Sequence, residues 1–248
     1  MTFLEFLQNG LFSKLLEKYS QSTFGAVIFI GGFLICIVGG YLLGSINSAI
    51  VISKLMYGED VRDSGSKNAG TTNMLRTYGE KAAKYTLIGD LGKTFVSYLL
   101  GITIFGVQGA YFACFMCIVG HVFPVYYRFR GGKGVACAAM MMLLLNPIAF
   151  IVLFTIFLII LFGMKYVSLA SIMGAMLYPM VHQVTEKIGF MNNFYFPYST
   201  VFTVLTALLV LWRHWPNMKR LMDKTESKTD IIAKIKAKKK STENTDGE

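Results

Sequence analysis

Charge is what this sequence has least of, and it is missing in long blocks. Only 15% of the 248 residues are Asp, Glu, Lys or Arg, and the stretches 19–53, 94–127, 134–164, 166–185 and 188–212 carry none at all. Each is as long as, or longer than, the roughly 20 apolar residues that a helix needs to cross a bilayer. That excludes an ordinary soluble domain, in keeping with a 54% hydrophobic composition and a mean hydropathy of +0.52. Ligand-type side chains are also sparse. No His/Cys/Asp/Glu group has metal-ligand spacing, so no metal and no cofactor is expected. Cys114 and Cys117 have C-x-x-C spacing, but inside an apolar run they read as small packing residues. There is no G-x-S-x-G nucleophile elbow, and Gly134 after Lys133 breaks the register of a nucleotide phosphate loop.

The N-terminus has neither the basic start nor the small-residue cleavage site of a secretory signal. Residues 1–23 therefore read as a retained amphipathic interfacial helix, with Phe3, Leu4, Leu7, Leu11, Leu15 and Leu16 on one stripe.

The charge that is present is placed unevenly. Of 24 Lys and Arg, ten fall in 213–248, seven in 54–93 and three in 128–133. By the positive-inside tendency these three regions share the cytoplasmic side. The formal net charge of +10 is thus topological, not a nucleic-acid footprint, and the tail 225–248 reads as a basic, mobile appendage near anionic headgroups.

The expected organisation is an all-α, polytopic integral membrane protein. An interfacial helix (1–23) precedes a transmembrane domain (24–224) and the tail (225–248). Apolar runs at 24–56, 84–106, 110–127, 136–163, 166–185 and 197–212 give about five to seven crossings. Equal sidedness of 128–134 and the tail demands an even number of crossings between them, so either 166–184 dips in and returns or one long run is split. Residues 186–198 read as an outer loop. The first run is too long for one untilted crossing, and its Gly39-Gly40 and Gly44-Ser45 pairs mark close packing or a break. Asp90 and Lys93 enter a span at i, i+3 spacing, where an ion pair is somewhat better favoured than direct contact with a substrate.

Three polar clusters fall on the cytoplasmic side. The first is the loop Asp63-Ser64-Gly65-Ser66-Lys67-Asn68-Ala69-Gly70-Thr71-Thr72-Asn73 with Arg76. The second is Arg128-Phe129-Arg130-Gly131-Gly132-Lys133-Gly134, and the third runs from Arg213-His214-Trp215-Pro216-Asn217 to Arg220. Hydroxyls, glycine amides, several cations and one imidazole suit one or two phosphates better than a metal. For the second cluster a plain basic turn between membrane helices would look the same.

These clusters resemble the three motifs of the PlsY-type bacterial membrane glycerol-3-phosphate acyltransferases, which use acyl-phosphate. The first resembles Gly44-Ser45-Ile46 onward through Gly65 to Asn73 and Arg76. The second is similar at Gly120-His121-Val122-Phe123-Pro124 and Phe129 to Ala136, and the third at His214, Asn217, Arg220, Leu221 and Glu226. This chain departs from the family pattern at Lys67 and Lys224, where glycine is usual, at Thr94 and Cys137, and at Trp215-Pro216 inside the third motif. Pro216 is tolerable in a first helical turn.

The resemblance implies transfer of an acyl group from acyl-phosphate to the 1-hydroxyl of sn-glycerol 3-phosphate, giving lysophosphatidic acid and phosphate. It implies a site at the cytoplasmic face of the bacterial plasma membrane, formed by short helices or loops, with both substrates and membrane lipid as partners. Ser66, Asn68, Gly70, Thr72 and Asn73 would hold acyl-phosphate. Arg76, Gly131, Gly132, Lys133, Ser168, Ser171, His214 and Asn217 would hold glycerol 3-phosphate, and Ser66, Arg76, Lys133, His214 and Asn217 would act in catalysis.

The proton acceptor is either His214 or the substrate phosphate. The His-x-x-x-x-Asp pattern of soluble-type acyltransferases is absent, which favours the phosphate. A membrane transporter of an organic phosphate is the alternative reading. It would more often show repeats and a midplane site, whereas these polar residues gather at one face.

Overall fold

The computed structural model describes residues 9–11, 18–19, 22–188 and 196–229; most of the expected N-terminal interfacial helix, residues 189–195 of the expected outer loop and most of the tail lie outside them. All regular structure among the described residues is helical. Helix α1 spans Thr23–Ser45, with Ser22 capping it by accepting from the Gly25 amide at 3.2 Å. Its buried positions are Gly25, Gly32, Cys36, Gly40, Gly44 and Ser45, while Phe24, Val27, Ile30, Leu34, Val38 and Leu42 are exposed. A helix with small residues inside and large apolar ones outside is built for lipid, where helices gain by close backbone approach rather than by hiding hydrophobic surface.

The first apolar run breaks where the glycine and serine pairs suggest. Ile46 and Asn47 leave helical geometry, and Asn47 caps α2 (Ser48–Tyr57) by accepting from the Ile50 amide. A 3-10 turn at Val61–Asp63 and the short helix α3 (Thr71–Thr77) make the polar insert an ordered loop rather than a span.

Helix α4 runs over Glu80–Val122 but is broken at Phe105 and Gly106, whose φ of 60° is left-handed. Its two arms fold back on each other: Asp90 pairs with His121, and Thr94 Oγ1 lies 3.7 Å from Cys117 Sγ. A single assigned helix is therefore an antiparallel hairpin, which matches the two crossings expected over 84–106 and 110–127.

The run expected as one crossing at 136–163 is two helices, α5 (Val135–Leu145) and α6 (Pro147–Met164). Asn146 makes the break: its Oδ1 accepts from the Ala149 amide at 3.0 Å and Pro147 occupies the first turn, where no N–H is needed. The same side chain meets Thr185 Oγ1 at 2.9 Å and His182 Nδ1 at 3.1 Å, near the far end of α7 (Val167–Thr185). Helix α8 (Ser199–Arg213) returns from that end, where the Ser199 hydroxyl donates to Glu186, and α9 (Trp215–Met222) follows it.

Helices α5 to α8 make four passes between segment 128–134 and α9, the even number that the charges require. With α1 and the two arms of α4 the described residues contain seven apolar legs, the upper end of the expected range. Among the described residues four stretches are long and apolar enough to cross a membrane, Thr23–Tyr57, Glu80–Tyr127, Pro147–Met164 and Val167–Thr185, the second being the hairpin.

Helix α1 lies on the second arm of α4 with backbone against backbone. A Cβ on Gly44 would stand 2.0 Å from the Cys117 carbonyl oxygen, whereas one on Gly31 would meet nothing within 4 Å. Gly44→Ala should therefore lower thermal stability in detergent by about 1–3 kcal/mol, while Gly31→Ala should leave it unchanged or raise it by up to ~1 kcal/mol. Equal effects of the two would show that the helices do not meet at Gly44.

Candidate active site

The polar insert, the turn after α4 and α9 meet at one end of the bundle. Arg62 locks the first two together. It holds Asp60 through Nε and Nη2, at 2.9 and 2.7 Å, and Nη1 donates to the carbonyls of Tyr127 and Arg130, both at 3.0 Å. Its hydrogen bonds keep the Asp60 carboxyl below the usual carboxylate range. Asn73 organises the loop from within. Its Oδ1 accepts from the Ser66 amide at 2.8 Å, and its Nδ2 donates to the carbonyls of Val61 and Ser64, both at 3.0 Å.

The glycines of 131–132 are packed hard against the end of α4. Gly131 N donates to the Val122 carbonyl at 3.2 Å and Gly132 N to the His121 carbonyl at 3.1 Å, while Arg213 donates to both glycine carbonyls. A Cβ on Gly132 would fall 2.1 Å from His121 Nε2 and 2.6 Å from the Ala69 oxygen. Beneath them lies a buried charged cluster. Lys93 Nζ stands 2.9 Å from Asp90 Oδ1 and 2.8 Å from His121 Nδ1, and it donates to the carbonyls of Gly44 and Ile46 at 3.1 and 3.0 Å. Asp90, His121 and Cys137 bring three ligand-type atoms within 4.8 Å of one another, but the Lys93 ammonium between the first two makes this an ion-paired anchor.

Lys133 emerges from this base and donates to Asn217 Oδ1. Asn217 Nδ2 donates to Glu226 Oε1 at 2.7 Å, and Arg220 Nε donates to Glu226 Oε2 at 2.6 Å. Glu226 arrives there because the chain reverses at Lys224, whose φ is 56°, with the amides of Thr225 and Glu226 both donating to the Arg220 carbonyl. Thr229 N then donates to the Lys165 carbonyl at 2.7 Å, and the Lys228 ammonium sits 5.6 Å from the Tyr166 ring centroid. Residues 225–229 of the segment expected as a mobile tail are thus fastened across the site.

Burial, with Arg220, Arg213 and Arg76 nearby, pushes the Lys133 ammonium down to about 8, against the pull of Glu226. Burial works against the Glu226 charge, but hydrogen bonds from Arg220 and Asn217 hold its carboxyl below the usual range. His214 is buried, and burial together with the Lys133 ammonium holds its imidazole down to about 4. The neutral ring spends Nδ1 on the Val210 carbonyl at 2.8 Å, so Nε2 is left as an acceptor.

These groups border a cavity of about 720 Å³. Eleven of the residues singled out in the sequence line it: Ser66, Asn68, Gly70, Thr72, Asn73, Arg76, Lys133, Ser168, Ser171, His214 and Asn217. Gly131 and Gly132 do not. Their amides are already bonded to the end of α4, so their backbone supports the wall rather than facing the cavity. Arg220 and Glu226 line it, although the sequence suggested them only as parts of a motif, and Arg62 and Arg213 act from behind it. From this polar chamber an apolar arm runs between α5, α6, α7 and α8, past Ala138, Met142, Leu153, Phe157, Ala175 and Ala207.

Residues 34–224 match the family model described as glycerol-3-phosphate acyltransferase. Glycerol-3-phosphate acyltransferases from Coxiella burnetii and Exiguobacterium sibiricum are 38% identical over 203 residues and 42% identical over 197 residues. The matches cover 80% and 79% of this chain and 99% and 93% of those proteins. Crystal structures of PlsY, an integral membrane glycerol 3-phosphate acyltransferase, superpose with TM-scores of 0.74 for the glycerol 3-phosphate form and 0.69 for the lysophosphatidic acid form. Both are 30% identical, covering 82% and 81% of this chain and 98% and 96% of those chains.

Two measurements probe this geometry. Lysine in the left-handed region costs roughly 1 kcal/mol that glycine does not, so Lys224→Gly should raise the melting temperature by about 2–4 °C; a fall would mean that the Lys224 side chain contributes more than its backbone costs. Lys133 is charged below about 8 and loses its charge as pH rises through that value. Hence kcat/KM for an anionic substrate should decline above pH about 8. In Lys133→Arg that limb should move out of range, and a limb unmoved by the substitution would assign it to another group.

Proposed function

The chain belongs to the glycerol-3-phosphate acyltransferase family, and from that premise we propose that it acylates the 1-hydroxyl of sn-glycerol 3-phosphate with acyl-phosphate as donor, at the cytoplasmic face of the bacterial plasma membrane. The observation that carries this reading is the excess of cations around one chamber. Arg220, Arg213 and Arg76 lie close enough to Lys133 to work against its ammonium charge, with Glu226 set among them. Such a site is incomplete without an anion.

The apolar arm that opens from the chamber suits a substrate with a phosphate head and an acyl chain. Glycerol 3-phosphate is held by Lys133, Arg76, Asn217 and the hydroxyls of Ser168 and Ser171. The donor phosphate rests on the 66–72 loop, where Ser66, Asn68, Gly70 and Thr72 border the cavity. The 1-hydroxyl oxygen attacks the acyl carbonyl carbon, the bond from that carbon to the phosphate oxygen breaks, and inorganic phosphate leaves.

The hydroxyl proton passes to a substrate phosphate oxygen. An imidazole held down to about 4 is a poor base at neutral pH, so His214 instead orients the hydroxyl through its Nε2 lone pair. Positioning and charge compensation supply the rate, because the mixed anhydride is already activated. The basic segment 128–134 and α9 lie at the same end of the bundle, which supports a cytoplasmic site under the positive-inside tendency.

Purified protein in detergent, given glycerol 3-phosphate and palmitoyl phosphate, should release equal amounts of phosphate and lysophosphatidic acid without coenzyme A. Product from acyl-coenzyme A alone would overturn the donor assignment. No lysophosphatidic acid from either donor, in a preparation with a cooperative melt, would overturn the function.

A further inference from the structure

The apolar arm of the cavity ends in polar groups that no described residue satisfies. Tyr178 of α7 and Thr206 of α8 both line the cavity, are 2% and 1% exposed, and have hydroxyls without a hydrogen-bond partner among the described residues. Two helices place them at one depth. The hydrogen bond between Ser199 and Glu186 sets the register of the antiparallel α7 and α8. Counting seven residues up α8 from Ser199 reaches Thr206, and eight back along α7 from Glu186 reaches Tyr178. From the chamber, Tyr178 lies ten residues below Ser168 and Thr206 eight below His214, or about 15 and 12 Å of helical rise. That depth is close to half of a bilayer core of roughly 30 Å.

We propose that Tyr178 and Thr206 form a polar floor that limits the acyl-chain length accepted in the arm, which makes them specificity-determining residues. This rests on the acyl-donor reading above. Both hydroxyls are unpartnered and nearly shut off from solvent beside an otherwise apolar channel, and a methyl terminus packed on them completes that closure, so that neither can turn towards water. Chains that stop short of the floor meet mainly alanine, valine, methionine, leucine and phenylalanine side chains. Gly174, six residues below Ser168, also lines the arm, and a Cβ there meets nothing within 4 Å, so the channel is open at mid-depth.

The test compares decanoyl and stearoyl phosphate as donors for full-length protein in detergent, with the stearoyl-to-decanoyl ratio of kcat/KM as readout. Tyr178→Phe with Thr206→Val keeps the shape of the floor and removes both hydroxyls. The ratio should rise about tenfold or more. Gly174→Leu, which fills the channel above the floor, should move the ratio the other way by a similar factor. Transfer from both donors with the ratio unchanged in both variants would overturn the floor. Absence of transfer from either donor in the unmodified protein would instead overturn the acyl-phosphate reading on which the proposal stands.

Discussion

The architecture of the site hangs on one buried ammonium. Lys93 sits at membrane depth, 8% exposed, with Asp90 and His121 as its charged and aromatic neighbours. An isolated charge there is strongly unfavourable, and removing either partner would strand the other. The cluster persists because the lysine has enough partners. Besides Asp90 and His121, it takes the carbonyls of Gly44 and Ile46, where α1 runs out of helical partners. It therefore ties the end of α1 to both arms of the α4 hairpin. The His121 carbonyl in turn receives Gly132 N, so the residue that presents Lys133 is referenced to the same anchor.

Close approach is what lets so few polar contacts hold the bundle. Hydrophobic burial contributes little between helices already in lipid, and packing with directed polar contacts has to suffice. The glycines of α1 let its backbone touch that of the α4 arm. On the opposite side, Asn146 does a comparable job with hydrogen bonds. It starts α6, binds the end of α7 and so fixes the depth at which the chain turns back. The apolar arm of the cavity is the space that these two arrangements leave between α5, α6, α7 and α8.

Much of this was legible in the sequence, because charge spacing and polar clustering act over long stretches. A count of five to seven legs, the ordered polar insert and the gathering of the three clusters at one end all follow from those patterns. What did not follow depends on single-residue geometry. Asn73 reads as one more polar ligand, yet both ends of its amide are engaged by the loop backbone. Gly131 and Gly132 read as a phosphate cradle, but their amides face α4. The parity of charges was met equally by a dip at 166–184 or by the division of one long run, and although Asn146-Pro147 is a helix-start signal, an apolar run such as 136–163 passes equally well for one crossing. Glu226 could be placed only by knowing that Lys224 takes a left-handed turn, which its identity argues against. Lys67 is left-handed too, with φ of 58°, and both replace the glycine usual in the family pattern.

That substitution pattern sharpens the electrostatics of the chamber. Lys67 borders the cavity and so adds a flexible cation near the loop expected to receive the donor phosphate. The fixed cations lie deeper, around Lys133, where burial and mutual repulsion already hold one ammonium near the point of losing its proton. An entering phosphate relieves that repulsion, so binding and protonation of Lys133 reinforce each other. Glu226 offsets part of the positive excess, but it is bound through Asn217 and Arg220 and leaves Lys133 to be shared. The result is a site stable enough to fold with its cations in place and still short of negative charge, which is the condition under which a phosphate substrate gains most by entering.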